Sequence, residues 1–252
     1  MTPKIEFVTT ELNDYLDTLK YFLLDKNHGD SWRETIFLVY PDLKEKLEKS
    51  DNKEKDIENF FRQKEKKFNK FFKKIRDDFQ KSWDKINDEV MIALEDINEI
   101  KWPKKFKKFG ARITLNPICP RYLDNNAFDV YFGFADMTMK SIVLHEVSHF
   151  IFFEKFKEIY PKTNKKEFES PYLIWKLSEI MPAIILNDKR IQKVFHHEAS
   201  DFVYDCFKKE IDNKRLLDYF RKFYKDRKSF RDFVEKSYDF VKKHESEINK
   251  IV

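Results

Sequence analysis

Between Lys53 and Ile100 the chain contains neither glycine nor proline. Over the same stretch Ile57, Phe60, Phe61, Phe68, Phe71, Phe72, Ile75, Phe79, Trp83, Ile86, Val90, Leu94 and Ile97 recur every three or four residues. That spacing predicts one extended helix, or a pair joined by a tight turn, with an apolar stripe on one side. The remainder is equally short of turn-formers, with 3 glycines and 8 prolines in 252 residues. Too few punctuation points exist for a large β-sandwich or barrel, so most of the chain should be helical. The aromatic fraction of 17%, including 27 phenylalanines, speaks for a packed core and against disorder.

A first amphipathic helix is expected over residues 9–25, capped by Thr9 or Thr10, with Leu12, Tyr15, Leu16, Leu19, Phe22 and Leu23 on one face. Trp102-Pro103 marks a boundary between an N-terminal helical region (1–102) and a second region (103–252). Ala111 to Leu115 and Phe128 to Phe134 read as two strands, with Pro117, Pro120, Asn125 and Asn126 between them. An apolar helix follows from about Thr138 to Tyr160, stopped by Pro161. Ser170-Pro171 should start the next helix, which Pro182 should kink or restart. Residues 200–250 read as two or three further amphipathic helices.

The charge balance of 50 basic against 45 acidic residues gives +5. Lysine clusters at 64–74 and 101–108 read as solvated faces with acids interleaved, so a nucleic-acid partner is not expected. Cys119 and Cys206 form no C-x-x-C pair or disulfide framework, which points to a reducing compartment. No apolar run approaches a membrane span, and the first residues lack the apolar segment of a signal peptide. A cytoplasmic protein without a membrane partner is expected.

One motif carries chemistry: His145-Glu146-Val147-Ser148-His149. Histidines at i and i+4 stand on one face of a helix with Cβ atoms roughly 6 Å apart. Both imidazoles can then reach one tetrahedral metal, while the intervening glutamate approaches water at that metal. The neighbours Ile142, Val143, Leu144, Val147, Phe150, Ile151 and Phe153 bury this helix. Two histidines and a carboxylate are costly there unless paired or metal-bound.

On these residues the chain resembles the zincin metallopeptidases, with the likeness covering roughly residues 110–190. The resemblance implies a zincin-like core with a small antiparallel sheet packed on the active-site helix, plus helices at both ends. Phe128 to Phe134 would be the edge strand that holds extended substrate. Phe152 and Lys155 stand where the metzincin branch would need glycine and histidine, so the resemblance is to the gluzincin type. That type takes a glutamate from a second helix, and Glu179 is a carboxylate in an otherwise apolar segment. Glu167, Glu169, His196 and His197 are the competing candidates; Glu167 and Glu169 sit in a lysine-rich polar loop.

The implied reading is a zinc-dependent peptidase acting on a peptide or protein, with one Zn2+ per chain on His145, His149 and Glu179. Glu146 is the general base. His196, His197 or Tyr204 would stabilise the oxyanion or donate a proton. Asp188 would accept from the far nitrogen of a ligand imidazole. The alternatives are a zinc-binding regulatory protein without hydrolysis and a helical interaction protein.

Overall fold

The computed structural model describes residues 2–24, 31–195 and 209–250. In chain order the elements are strand β1 (Lys4–Thr9), then helices α1 (Leu16–Leu24), α2 (Ser31–Val39), α3 (Pro41–Glu48), α4 (Lys53–Trp83) and α5 (Asn87–Asn98). Strands β2 (Lys108–Thr114), β3 (Arg121–Tyr122) and β4 (Ala127–Tyr131) follow, then α6 (Asp136–Ile159), α7 (Leu173–Ile185) and α8 (Lys189–Phe195). A hairpin of β5 (Glu210–Ile211) and β6 (Lys214–Arg215) leads into α9 (Leu216–Lys225), α10 (Phe230–Lys243) and α11 (Glu245–Ile248). The fold is α+β and mostly helical, as composition requires.

These elements belong to two compact units. The first holds the described residues of 4–85 and 108–143, and the second those of 2–3, 86–107 and 144–250. In the first unit β1, β2, β4 and β3 form one sheet in that order. Helix α4 lies against β1. Its start is fixed by Asn52, whose side chain accepts from the Lys55 N–H at 3.1 Å. Its stripe buries Ile57, Phe60, Phe61, Phe72, Phe79 and Trp83. Gln80 then ties the helix to the strand, accepting from the Phe7 N–H at 2.8 Å and donating to the Ile5 carbonyl at 2.9 Å. The long stripe is thus a helix pair, α4 and α5, broken at residues 84–86.

In the second unit α7 is buried along most of its length and packs against α9 and α10. Helix α5 ends at Glu99 in the left-handed region (φ 51°). The buried Lys155 of α6 donates to the Glu99 carbonyl at 3.1 Å, a cation satisfying a helix C-terminus. Arg190 treats the same helix similarly, donating to the Asp96 carbonyl at 2.8 Å.

Several expectations are corrected. The sheet is not antiparallel: β1 with β2 and β2 with β4 run parallel, and only the two-residue β3 is antiparallel to β4. Residues 115–126 are long enough to reverse twice, so β4 returns in the direction of β2. Nor is 128–134 an edge strand. Pairing ends at Tyr131, and β3 and Pro120 take up the outer side of β4 as far as Asp129. Residues 4–9 form a strand, and Thr9 is paired with Ile113 rather than capping a helix. Helix α7 starts at Leu173 with Tyr172 before it, because residues 169–172 close a turn, the Tyr172 N–H donating to the Glu169 carbonyl. It continues through Pro182, which lies in its last turn and so removes little of the ladder. The 210–215 hairpin replaces helix where Asp212 and Asn213, at φ 50° and 59°, form the tight reversal.

Candidate metal centre

The second unit brings together residues 144–159 of α6 and helix α7. On α6, His145 and His149 are one turn apart on a rigid apolar helix, so their rings converge without help from any loop. Their Nε2 atoms lie 3.0 Å apart, with ring centroids at 4.7 Å. On α7, Glu179 is the acidic residue of a segment whose neighbours Leu177, Ile180 and Met181 are all buried. Its Oε2 is 3.4 Å from His145 Nε2 and 3.7 Å from His149 Nε2. Glu146 directs Oε1 to within 3.8 Å of His145 Nε2.

These four side chains are nearly removed from solvent. His149 is 1% exposed, and His145, Glu146 and Glu179 no more than 8%. Burial at this level makes each group depend on a partner. The three distances of 3.0, 3.4 and 3.7 Å bracket the roughly 3.3 Å edge of a tetrahedron with about 2.0 Å metal–ligand bonds. The donor set, two imidazole nitrogens and one carboxylate oxygen, suits a borderline cation such as zinc. Buried His145, His149 and Glu179 are thus close enough together to bind one metal ion.

Aromatic and hydrogen-bonding contacts surround these side chains. The His149 ring lies nearly parallel to Phe153, at 25° and 6.0 Å, and Phe153 packs on Phe168 at 4.4 Å. The i, i+4 spacing of His149 and Phe153 is the sequence signal for this stack. Ser148 Oγ donates to the His145 carbonyl at 2.7 Å, and Ser178 Oγ to the Trp175 carbonyl at 2.7 Å. Both hydroxyls are satisfied within their own helix and stay out of the ligand set. Lys176, one turn before Glu179, is also buried, and desolvation pushes its ammonium below the ordinary lysine range.

The other candidates lie elsewhere. Glu167 closes a capping box, its Oε1 accepting from the Asn164 N–H at 2.8 Å, and Glu169 is exposed. Asp188 is engaged by Arg190, at 2.8 Å from Nε, and by the Tyr224 hydroxyl, rather than by a ligand imidazole. Burial alone would raise its carboxyl, but the hydrogen bonds from Arg190 and Tyr224 outweigh burial and hold it well below the usual carboxylate range. His196, His197 and Tyr204 lie outside the described residues.

No helix among the described residues is long and apolar enough to cross a membrane. No protein-family model, curated protein or solved structure matches the chain.

Proposed function

We propose that this chain is a zinc-dependent peptidase of the zincin type, with His145, His149 and Glu179 holding one ion and Glu146 managing the proton. The observation that carries the reading is the convergence of His145 Nε2, His149 Nε2 and Glu179 Oε2 from two helices. Three protein ligands leave a coordination position open, as catalytic rather than structural zinc sites do. Glu146 beside that trio, at 3.8 Å from His145 Nε2, favours hydrolysis over a purely structural role.

When bound, the ion supplies a Lewis acid for a carbonyl oxygen and lowers the pKa of water to about 7. His145 and His149 present Nε2 to the centre, so each ring keeps its proton on Nδ1. Glu146 Oε1 accepts the proton of the attacking water and passes it to the nitrogen of the leaving amine. The buried walls formed by α6 and α7 exclude bulk water from that exchange and strengthen its electrostatics.

The test is purified protein assayed for zinc content and for cleavage of a peptide library, alongside Glu146→Gln. Stoichiometric zinc in both, with hydrolysis only in the parent, is the expected result. Equal hydrolysis by Glu146→Gln would reject Glu146 as base. Zinc without cleavage in the parent would leave a metal-binding regulatory protein.

A further inference from the structure

We propose that the solvent face of α4 is a docking surface for single-stranded nucleic acid. Between Arg62 and Arg76 every charged residue is lysine or arginine except Glu65, while the entire chain carries only +5. With the flanking Glu58, Asp77 and Asp78 counted, residues 58–78 still carry +4, eight basic residues against four acidic. The acids near the stretch are engaged: Glu65 accepts from the Leu12 N–H at 2.7 Å, and the rest pair at its ends. Glu58 pairs with Arg62 at 2.7 Å, Asp78 with Lys74 at 2.9 Å and Asp77 with Arg76 at 2.6 Å. Between them Lys66, Lys67, Lys70 and Lys73 are exposed and engage no carboxylate among the described residues.

Helical spacing puts Lys66, Lys70 and Lys73 on one face over about 10 Å of axis. Phe71 flanks them, 45% exposed, with Lys70 Nζ 5.0 Å from its ring centroid. It is not a stray core residue, since Phe68 and Phe72 both pack on Phe132, at 5.0 and 5.6 Å, and leave Phe71 outside. A row of uncompensated ammonium groups beside an open aromatic face matches how sequence-tolerant single-strand binders work: cations track the phosphates and bases stack on the ring. An anionic membrane fits less well, because the apolar stripe of α4 is already buried and no second stripe is left to insert. An acidic protein would answer the lysines but has no particular use for Phe71.

The test is fluorescence anisotropy of a labelled oligothymidylate of about 16 nucleotides, titrated with the full chain between about 50 and 200 mM salt. Four phosphate contacts predict a slope of log K against log salt of about −3. Lys66→Gln/Lys70→Gln/Lys73→Gln should reduce the magnitude of that slope by about 2 and weaken binding at least ~10-fold at low salt. Glutamine retains helix propensity, so the circular dichroism spectrum should not change. Phe71→Ala should weaken binding at least ~5-fold with the slope unchanged. Absence of salt-dependent binding, or a triple variant that binds like the parent, would overturn the proposal. So would a neutral Phe71→Ala whose parent binds a glutamate-rich peptide or phosphatidylserine vesicles equally well, since that surface would read charge alone. Zinc content should be unchanged in all variants, which keeps this test separate from the peptidase reading.

Discussion

His145 Nε2 and Glu179 Oε2 come from different helices and stand 3.4 Å apart inside the second unit. Each sits among buried apolar residues, where a polar group depends on a partner. Glu179→Gln keeps the shape and removes the charge. It should leave the fold intact and lower zinc affinity by at least ~100-fold, beyond the loss typical of an outer-sphere partner. Competition with a chromogenic chelator measures this.

Phe153 lies nearly parallel to the His149 ring and itself rests on Phe168. Phe153→Ala should cost about 3–5 kcal/mol of stability by opening a cavity. Phe153→Leu should cost less in urea denaturation, yet still weaken zinc binding, because the flat support for the imidazole is gone. A leucine variant with parental zinc affinity would assign Phe153 to packing alone.

Acid should reveal Asp188. Its carboxyl is depressed in the folded chain by Arg190 and Tyr224 against the opposing effect of burial. Its stabilising contribution is therefore complete above the unfolded pKa of about 4 and drains away as pH falls toward the depressed folded value. Because Arg190 is partly exposed, Asp188→Asn should cost about 1–2 kcal/mol near neutrality. The gap to the parent should narrow at about pH 3 in urea titrations.

A methyl group at Gly133 would sit 2.5 Å from the Tyr131 ring. That ring is also in edge contact with Tyr40 and Phe134. Gly133→Ala should therefore destabilise by about 1–3 kcal/mol through displaced aromatics. Thermal denaturation reads the loss, and Tyr131→Leu in the same chain should recover part of it.

The geometry of the candidate metal centre is legible in the sequence because it is local. A helix fixes the direction of residues at i and i+4, so the His145–His149 spacing alone dictated the convergence of their rings. Glu179 was legible as a lone acid among apolar residues, since burial forces such a group to find a partner. The sheet was less legible. Lys4 to Thr9 alternates as a half-buried strand should, but it is short and its partner, β2, begins at Lys108. Strand direction is not legible, because residues 115–126 leave room for an extra leg and no local signal counts reversals. Asp188 takes the local cation Arg190, two residues on, together with Tyr224, which becomes its neighbour only through tertiary packing.

The ligands straddle a break in regular α-helix, since α6 ends at Ile159 and α7 begins at Leu173. A protease nick in this connection would sever the imidazoles from the carboxylate along the backbone while an ion still bridged them. If the proposed ion bridges them, nicked protein should withstand more urea when loaded than after a chelator is added, while contacts such as Arg190 on the Asp96 carbonyl keep the two fragments associated under native conditions in either state.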